Sequence, residues 1–362
     1  MTDVMVSIII TFYNKKKFAK TCIESVLNQS YEKLQIILVD DGSTDGTDKI
    51  LDDYMLLDKR VEVIHQSNSG LSEARVVGIE KANGVWIIIV DGDDYLSTDF
   101  VSEHLKVALT NTDIEIVSAN RFYLEIPETC VWPQRSGRYK LCEGKRLANN
   151  IYTDSEFDRP LVCKLIKLSY IRKFDLRKYK DQCPMVFFED CLFTPFLIYY
   201  AKVVAIIPDK YWVHRNDITS VSRAGLLNDF HFDQVMSGAI LLRFLQNKQL
   251  YNTYSFFVEY YYRLIIKIWC LIDYYDLEED YKTRIKNNII RNYWIYYEKY
   301  LEYSNNSRRF IYFSVIVFGF ARHLFKKMIL LTYYRGYEKK KDERCSEIIS
   351  KVGQGNTVFE LH

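Results

Sequence analysis

Proline is scarce in this 362-residue chain: there are six, all between Pro127 and Pro208. Helix interiors exclude proline, so the long stretch beyond Pro208, which holds 17 of the 29 tyrosines after residue 250, is open to uninterrupted helix. Net charge is nearly absent as well. The 49 basic and 47 acidic residues leave a formal +2, which on bulk charge argues against a nucleic-acid-binding protein. No segment reaches the ~18 uncharged apolar residues of a spanning helix; the nearest, 310–321, has Arg308 and Arg309 before it and Arg322 after it. The N-terminus carries Asp3 where a leader is basic, and a cytoplasmic location is expected. The eight cysteines form no C-x-x-C pair and no zinc-ligand spacing, and read as reduced packing thiols. Neither G-x-G-x-x-G after the first strand nor G-x-x-x-x-G-K-[ST] occurs, so dinucleotide and P-loop sites lack their motifs.

What is present is an ordinary globular composition, 48% hydrophobic, of a length that suits two domains. The first 120 residues alternate short β-branched runs with amphipathic stretches, the pattern of βα units around a mostly parallel sheet. Residues 6–11, 33–39, 61–65, 85–90 and 114–118 read as strands. Their continuous apolar character suits strands covered on both faces. Phe18, Cys22, Val26 and Leu27 recur at helical spacing, residues 72–82 form a second helix candidate stopped by Asn83-Gly84, and a third begins near Ser97. Residues 121–150 read as a hairpin-like, irregular region. The chain after about residue 228 reads as helical.

Three polar clusters follow directly on three of these strands: Thr11-Phe12-Tyr13-Asn14, Asp40-Asp41-Gly42-Ser43 and Asp91-Gly92-Asp93-Asp94. Ligands of open α/β sheets bind beyond the carboxyl ends of the strands, so the clusters are expected to converge on one crevice. Each cluster taken singly also fits turn chemistry. Asp91 and Asp93, straddling Gly92, are hard oxygen ligands suited to holding Mg²⁺ or Mn²⁺ against a diphosphate; the alternative is that they cap the following helix. Residues 41–52 partly fit a calcium loop, but Asp52 stands in the last position and a strand precedes the loop where a helix belongs. The Asp91-x-Asp93 pair is also similar to that of the haloacid dehalogenase phosphatases, which place it on their first strand.

Taken in order, these motifs resemble those of the family 2 glycosyltransferases, which have the GT-A fold. Residues 7–14 (SIIITFYN) are similar to the family's opening strand and nucleotide loop, 36–47 (IILVDDGSTDGT) to its second strand, 68–75 (NSGLSEAR) to its G-L-S-x-A-R segment and 90–96 (VDGDDYL) to its D-x-D motif. Farther on, Phe188-Glu189-Asp190-Cys191-Leu192-Phe193 resembles the E-D motif, and Tyr211-Trp212-Val213-His214-Arg215 with Ser220 the later Y-x-R…S segment. The resemblance implies an α/β GT-A domain over 1–225, with a nucleotide-sugar half to residue 120 and an acceptor half from 121. A helical region over 226–362 follows.

The resemblance further implies that Thr11 and Tyr13 frame the uracil and ribose, that Asp41 accepts a hydrogen bond from the uracil and that Arg75 faces the diphosphate. Asp91 and Asp93 with Gly92 would hold the metal and the sugar-diphosphate, and Asp190 would be the catalytic base of an inverting transfer. By residue type alone, Asp190 equally fits a solvated acid at a helix start. His214 is a candidate metal or phosphate contact and Arg215 a candidate phosphate partner. The chain departs from the family pattern at Ile10, where proline is usual, and at Cys163, where asparagine is frequent.

Between Arg308 and Arg344 stand ten Lys or Arg against three acids. Large apolar residues interleaved with these cations suit a helix lying in a membrane interface, or else a docked or oligomer-forming helix. The expected partners are therefore a nucleotide-sugar donor, with a UDP-sugar foremost, and a glycan or lipid-linked acceptor on the inner face of the membrane; a second copy of the chain is a further candidate. A catalytically silent nucleotide-sugar binder and the phosphatase are the competing functions.

Overall fold

The computed structural model describes residues 3–174, 176–177 and 189–215, with scattered positions between 238 and 287. The chain divides into two compact units, Met1–Ile218 and Thr219–His362.

The first unit is built on β1 (Val6–Phe12), every residue of which is buried. It pairs in parallel with β2 (Leu34–Asp40) on one side and with β4 (Trp86–Asp91) on the other, while β3 (Val61–His65) extends the parallel sheet beyond β2. Three helices connect these strands: α1 (Lys16–Leu27), α2 (Thr47–Leu57) and α3 (Leu71–Lys81). Helix α1 turns inward Phe18, Cys22 and Val26 of the spacing read from the sequence, together with Ala19 and Ile23, whereas Leu27 is only half-buried. Each large apolar side chain so buried contributes roughly 1.5–3 kcal/mol.

Helix α2 escapes the sequence pattern because only Thr47 and Leu51 are buried; most of its surface is charged or exposed. The strand after Asp94 is also a correction. Tyr95–Leu96 forms a short β5, the Ser97 N–H still donates to the Tyr211 carbonyl at 2.9 Å, and α4 (Phe100–Ala108) therefore begins three residues later than Ser97.

The sheet continues through β8 (Lys164–Lys167), β6 (Ile114–Leu124) and β9 (Val203–Arg215) to β5, in the order β3-β2-β1-β4-β8-β6-β9-β5. β8 is antiparallel to both β4 and β6, whereas β6 and β9 run parallel. Of the hairpin-like, irregular reading of 121–150, residues 130–139 are irregular as expected, but no local hairpin is formed. β6 runs on to Leu124, and β7 (Lys140–Glu143) pairs with β9, a partner some sixty residues away that no local pattern announces. Two short helices, α5 (Gly144–Ala148) and α6 (Leu168–Ile171), and the longer α7 (Glu189–Tyr200) complete this unit.

In the second unit the described positions are helical apart from a turn at 248–250, and bury Leu241, Leu242, Leu245, Phe257 and Tyr261. Among the described residues no helix is long and apolar enough to cross a membrane. The basic segment 308–344 and the expected boundary at 225 lie outside the described residues.

Candidate functional site

Thr11 lies in register with Val39 on one side and with Asp91 on the other, so the polar clusters that follow β1, β2 and β4 emerge side by side. Thr11 itself is buried, and its carbonyl accepts the Gly92 N–H at 3.1 Å. Glycine is required at 92: a Cβ there would lie 2.4 Å from the Phe12 ring and 2.8 Å from the Thr11 oxygen. The loops after β1 and β2 are tied together. Asn14 Oδ1 accepts the Thr44 N–H at 2.8 Å, and Lys15 and Lys16 donate their backbone N–H groups to Thr47 Oγ1 and Asp45 Oδ2, both at 2.9 Å. Tyr13 stands half exposed at the rim of this crevice.

Asp41 is buried, and its carboxylate accepts from three donors. Gln66 Nε2 and the Ser69 N–H reach Oδ1 at 2.7 and 2.8 Å, and the Gly70 N–H reaches Oδ2 at 2.9 Å. It thereby pins the loop of residues 66–70 against the end of β2, at the start of α3. From α3, buried Arg75 reaches across to donate to Asp91 Oδ1 at 2.8 Å.

Asp93 forms an ion pair with Lys15, a contact that the motifs alone did not announce. Burial opposes the lysine charge, but Asp93, aided by Asp91 and Asp94, outweighs it and raises the Lys15 pKa. Asp94, to which the motifs gave no role, is fully buried; its Oδ1 accepts from His214 Nδ1 at 3.1 Å. Burial pushes the Asp94 carboxyl up. In His214 burial works against the imidazolium, yet the hydrogen bond and charge of Asp94 prevail and hold it above the ordinary histidine value. Arg215 donates Nε to the Asp93 carbonyl at 3.1 Å and NH1 to the Glu125 carbonyl at 3.0 Å, with its guanidinium 4.6 Å over the Phe18 ring.

The structure thus brings Thr11, Asp41, Arg75, Asp91, Gly92, Asp93, His214 and Arg215 to one end of the sheet. Among the described residues no group of three or more His, Cys, Asp or Glu is arranged to hold a metal ion. Asp91, Asp93 and His214 do not form such a group; His214 gives Nδ1 to Asp94, which leaves Nε2 as the ring atom that could meet a metal or a phosphate. Asp91 and Asp93 each keep one carboxylate oxygen apart from Arg75 and Lys15, a donor set that suits a hard divalent cation sharing the oxygens of a diphosphate. The backbone of Asp190 lies in the first turn of α7, and Ser220 falls outside the described residues.

Comparison with known proteins adds four findings. Residues 7–173 match the family described as glycosyl transferase family 2. The chain is 49% identical over 132 residues to the uncharacterized glycosyltransferase EpsJ of Bacillus subtilis, covering 36% of this chain and 38% of that protein. It is 39% identical over 119 residues to glycosyltransferase GlyG of Streptococcus pneumoniae, covering 33% and 39%. The similarity therefore spans well under half the length of these curated relatives. The solved structure of S. aureus TarS 1-349 in complex with UDP-GlcNAc shares the fold, with a TM-score of 0.50 at 16% identity over 82% of this chain and 92% of that one.

Proposed function

Because residues 7–173 are a glycosyl transferase family 2 domain, we propose that the chain moves a sugar from a UDP-sugar to a hydroxyl of a glycan or lipid-linked acceptor of the cell surface. The observation that carries this reading is the charge arrangement around Asp91 and Asp93. Each carboxylate is paired with a cation, Arg75 or Lys15, and Arg215 stands beside them. With a divalent cation on the two carboxylates, such a set would neutralise and orient a diphosphate. Thr11, Tyr13 and the loop held by Asp41 lie on the β1–β2 side, where the nucleoside would sit.

Asp190 is proposed to take the proton of the acceptor hydroxyl as that oxygen attacks the anomeric carbon, in a single displacement with inversion. The transition state would resemble an oxocarbenium ion, as in glycoside hydrolysis. Asp91 and Asp93 would hold Mn²⁺ or Mg²⁺ through the oxygens not given to Arg75 and Lys15. That ion, when bound, supplies electrophilic stabilisation of the departing diphosphate. The phosphatase reading loses support because Asp91 ends β4, not the first strand. Membrane attachment through 308–344 is part of this proposal.

The test is a panel of nucleotide sugars, UDP-GlcNAc first, assayed for hydrolysis and for transfer to lipid-linked acceptors. Transfer from one donor, lost in excess chelator and restored by Mn²⁺ or Mg²⁺, is the expected result. Undiminished transfer in chelator would remove the metal, and release of inorganic phosphate without an acceptor would favour the phosphatase. UDP binding without turnover of any donor would favour the silent binder.

A further inference from the structure

Across the sheet, the nucleoside-side clusters end β2 and β1, and the D-x-D carboxylates end β4. Any sugar attached to the far end of a diphosphate at Asp91 and Asp93 extends over the next strands in the order, β8, β6 and β9. Four side chains without an assigned role stand there. Arg121 of β6 forms an ion pair with Asp158 at 3.2 Å and donates Nε to the Tyr123 hydroxyl at 2.8 Å. Its guanidinium lies 4.8 Å over the Tyr123 ring and 5.1 Å over the Trp212 ring. Tyr123 is 54% exposed and packs edge-on against His214 at 5.6 Å.

Asp158 is held in place rather than carried on a loose loop. Its carbonyl accepts from the buried Lys164 Nζ at 2.6 Å, and the Cys163 N–H donates to the Ile89 carbonyl at 2.7 Å, which sets the segment beside the end of β4. Asp158 Oδ2 and Trp212 Nε1 are buried without a hydrogen-bond partner among the described residues. Leaving such atoms unpaired is costly. One wants a donor and the other an acceptor, and a sugar hydroxyl is both.

We propose that Arg121, Asp158, Tyr123 and Trp212 form a saccharide subsite, in which the carboxylate and guanidinium hold ring hydroxyls and the half-exposed Tyr123 ring packs against the sugar face. The subsite rests on the glycosyltransferase reading for its position beyond the diphosphate. Its ligand is a hydroxyl-rich pyranose, contributed by the donor or by the acceptor.

The experiment compares wild type with Tyr123→Ala, at a half-exposed position, and Asp158→Asn, which keeps the side-chain volume. Affinity is measured calorimetrically for UDP and for UDP-glucose, UDP-galactose and UDP-GlcNAc. Methyl glycosides of the same sugars are then tested by saturation-transfer NMR with UDP bound. UDP affinity is expected to stay within about twofold in both variants, while saccharide binding falls about tenfold or more. A loss confined to the nucleotide sugars identifies the donor's sugar, and one confined to the methyl glycosides the acceptor's. Saccharide binding unchanged in both variants, absent from wild type with UDP bound, or lost together with UDP binding overturns the subsite alone. Wild type that fails to bind UDP overturns the glycosyltransferase reading itself.

Discussion

The backbone of Asp190 lies in the first helical turn of α7. As the proposed base, Asp190 has to accept a proton only during transfer. Asp190→Asn is therefore expected to lower transfer by about 10²–10⁴-fold while UDP affinity is retained; full transfer by this variant would take Asp190 out of the mechanism. His104 makes a different kind of prediction. It is fully buried, donates Nδ1–H to the Phe100 carbonyl at 2.7 Å and stacks on the Phe100 ring. Burial lowers its pKa to about 4. The unfolded chain, with an ordinary histidine near 6.5, then binds the proton more tightly than the folded one. Its contribution is complete above pH ~6.5, is lost as pH falls toward 4 and is flat below, in all roughly 3 kcal/mol. Urea midpoints measured across that window should fall with acid, and His104→Phe should flatten the slope; an equally steep fall in the variant would assign it to other groups.

At the level of elements, the D-x-D turn depends on a close approach of backbone to backbone. With Phe12 and Thr11 at 2.4 and 2.8 Å from its Cβ, Gly92→Ala forces the turn away from β1. The expected cost is about 1–3 kcal/mol of stability, with Asp91 and Asp93 displaced and donor turnover reduced more than UDP binding. Unfolding curves and turnover on the same variant measure both, and unchanged values for each would contradict the packing. The strands that carry the site were legible because Val6–Phe12, Leu34–Asp40 and Trp86–Asp91 are apolar runs ending at polar residues. Helix α2 was not, since its buried side is confined to Thr47 and Leu51. The 121–150 region misled because strand pairing is a property of two segments, and the partner of Lys140–Glu143 is Val203–Arg215.

For the whole molecule, the near-zero net charge averages unlike parts, since residues 308–344 hold ten cations against three acids. If that segment meets an anionic bilayer, the protein should float with anionic liposomes and lose flotation on removal of residues 305–362 or in high salt. Protein that stays at the bottom of the gradient with and without the segment would sink the membrane proposal. The objection to nucleic acid on bulk charge rested on that same average, and a nucleic-acid titration at low salt would settle it independently.

The sequence by itself determined where the chemistry gathers. Polar clusters placed directly after buried parallel strands must emerge at one end of the sheet, and the residues of 7–96 suffice for that. The tertiary structure alone decided the pairings within the site. Asp94 finds His214 across 120 residues of chain, Lys15 finds Asp93 across 78, and Arg121 of β6 finds Asp158 in the segment that leads into β8. Burying a carboxylate requires a partner, but any nearby cation or donor satisfies that requirement. Which one does so is set by which strands come to lie side by side, and for His214 and Arg121 by the order in which β8, β6 and β9 join the sheet, an order with no local signature in the chain.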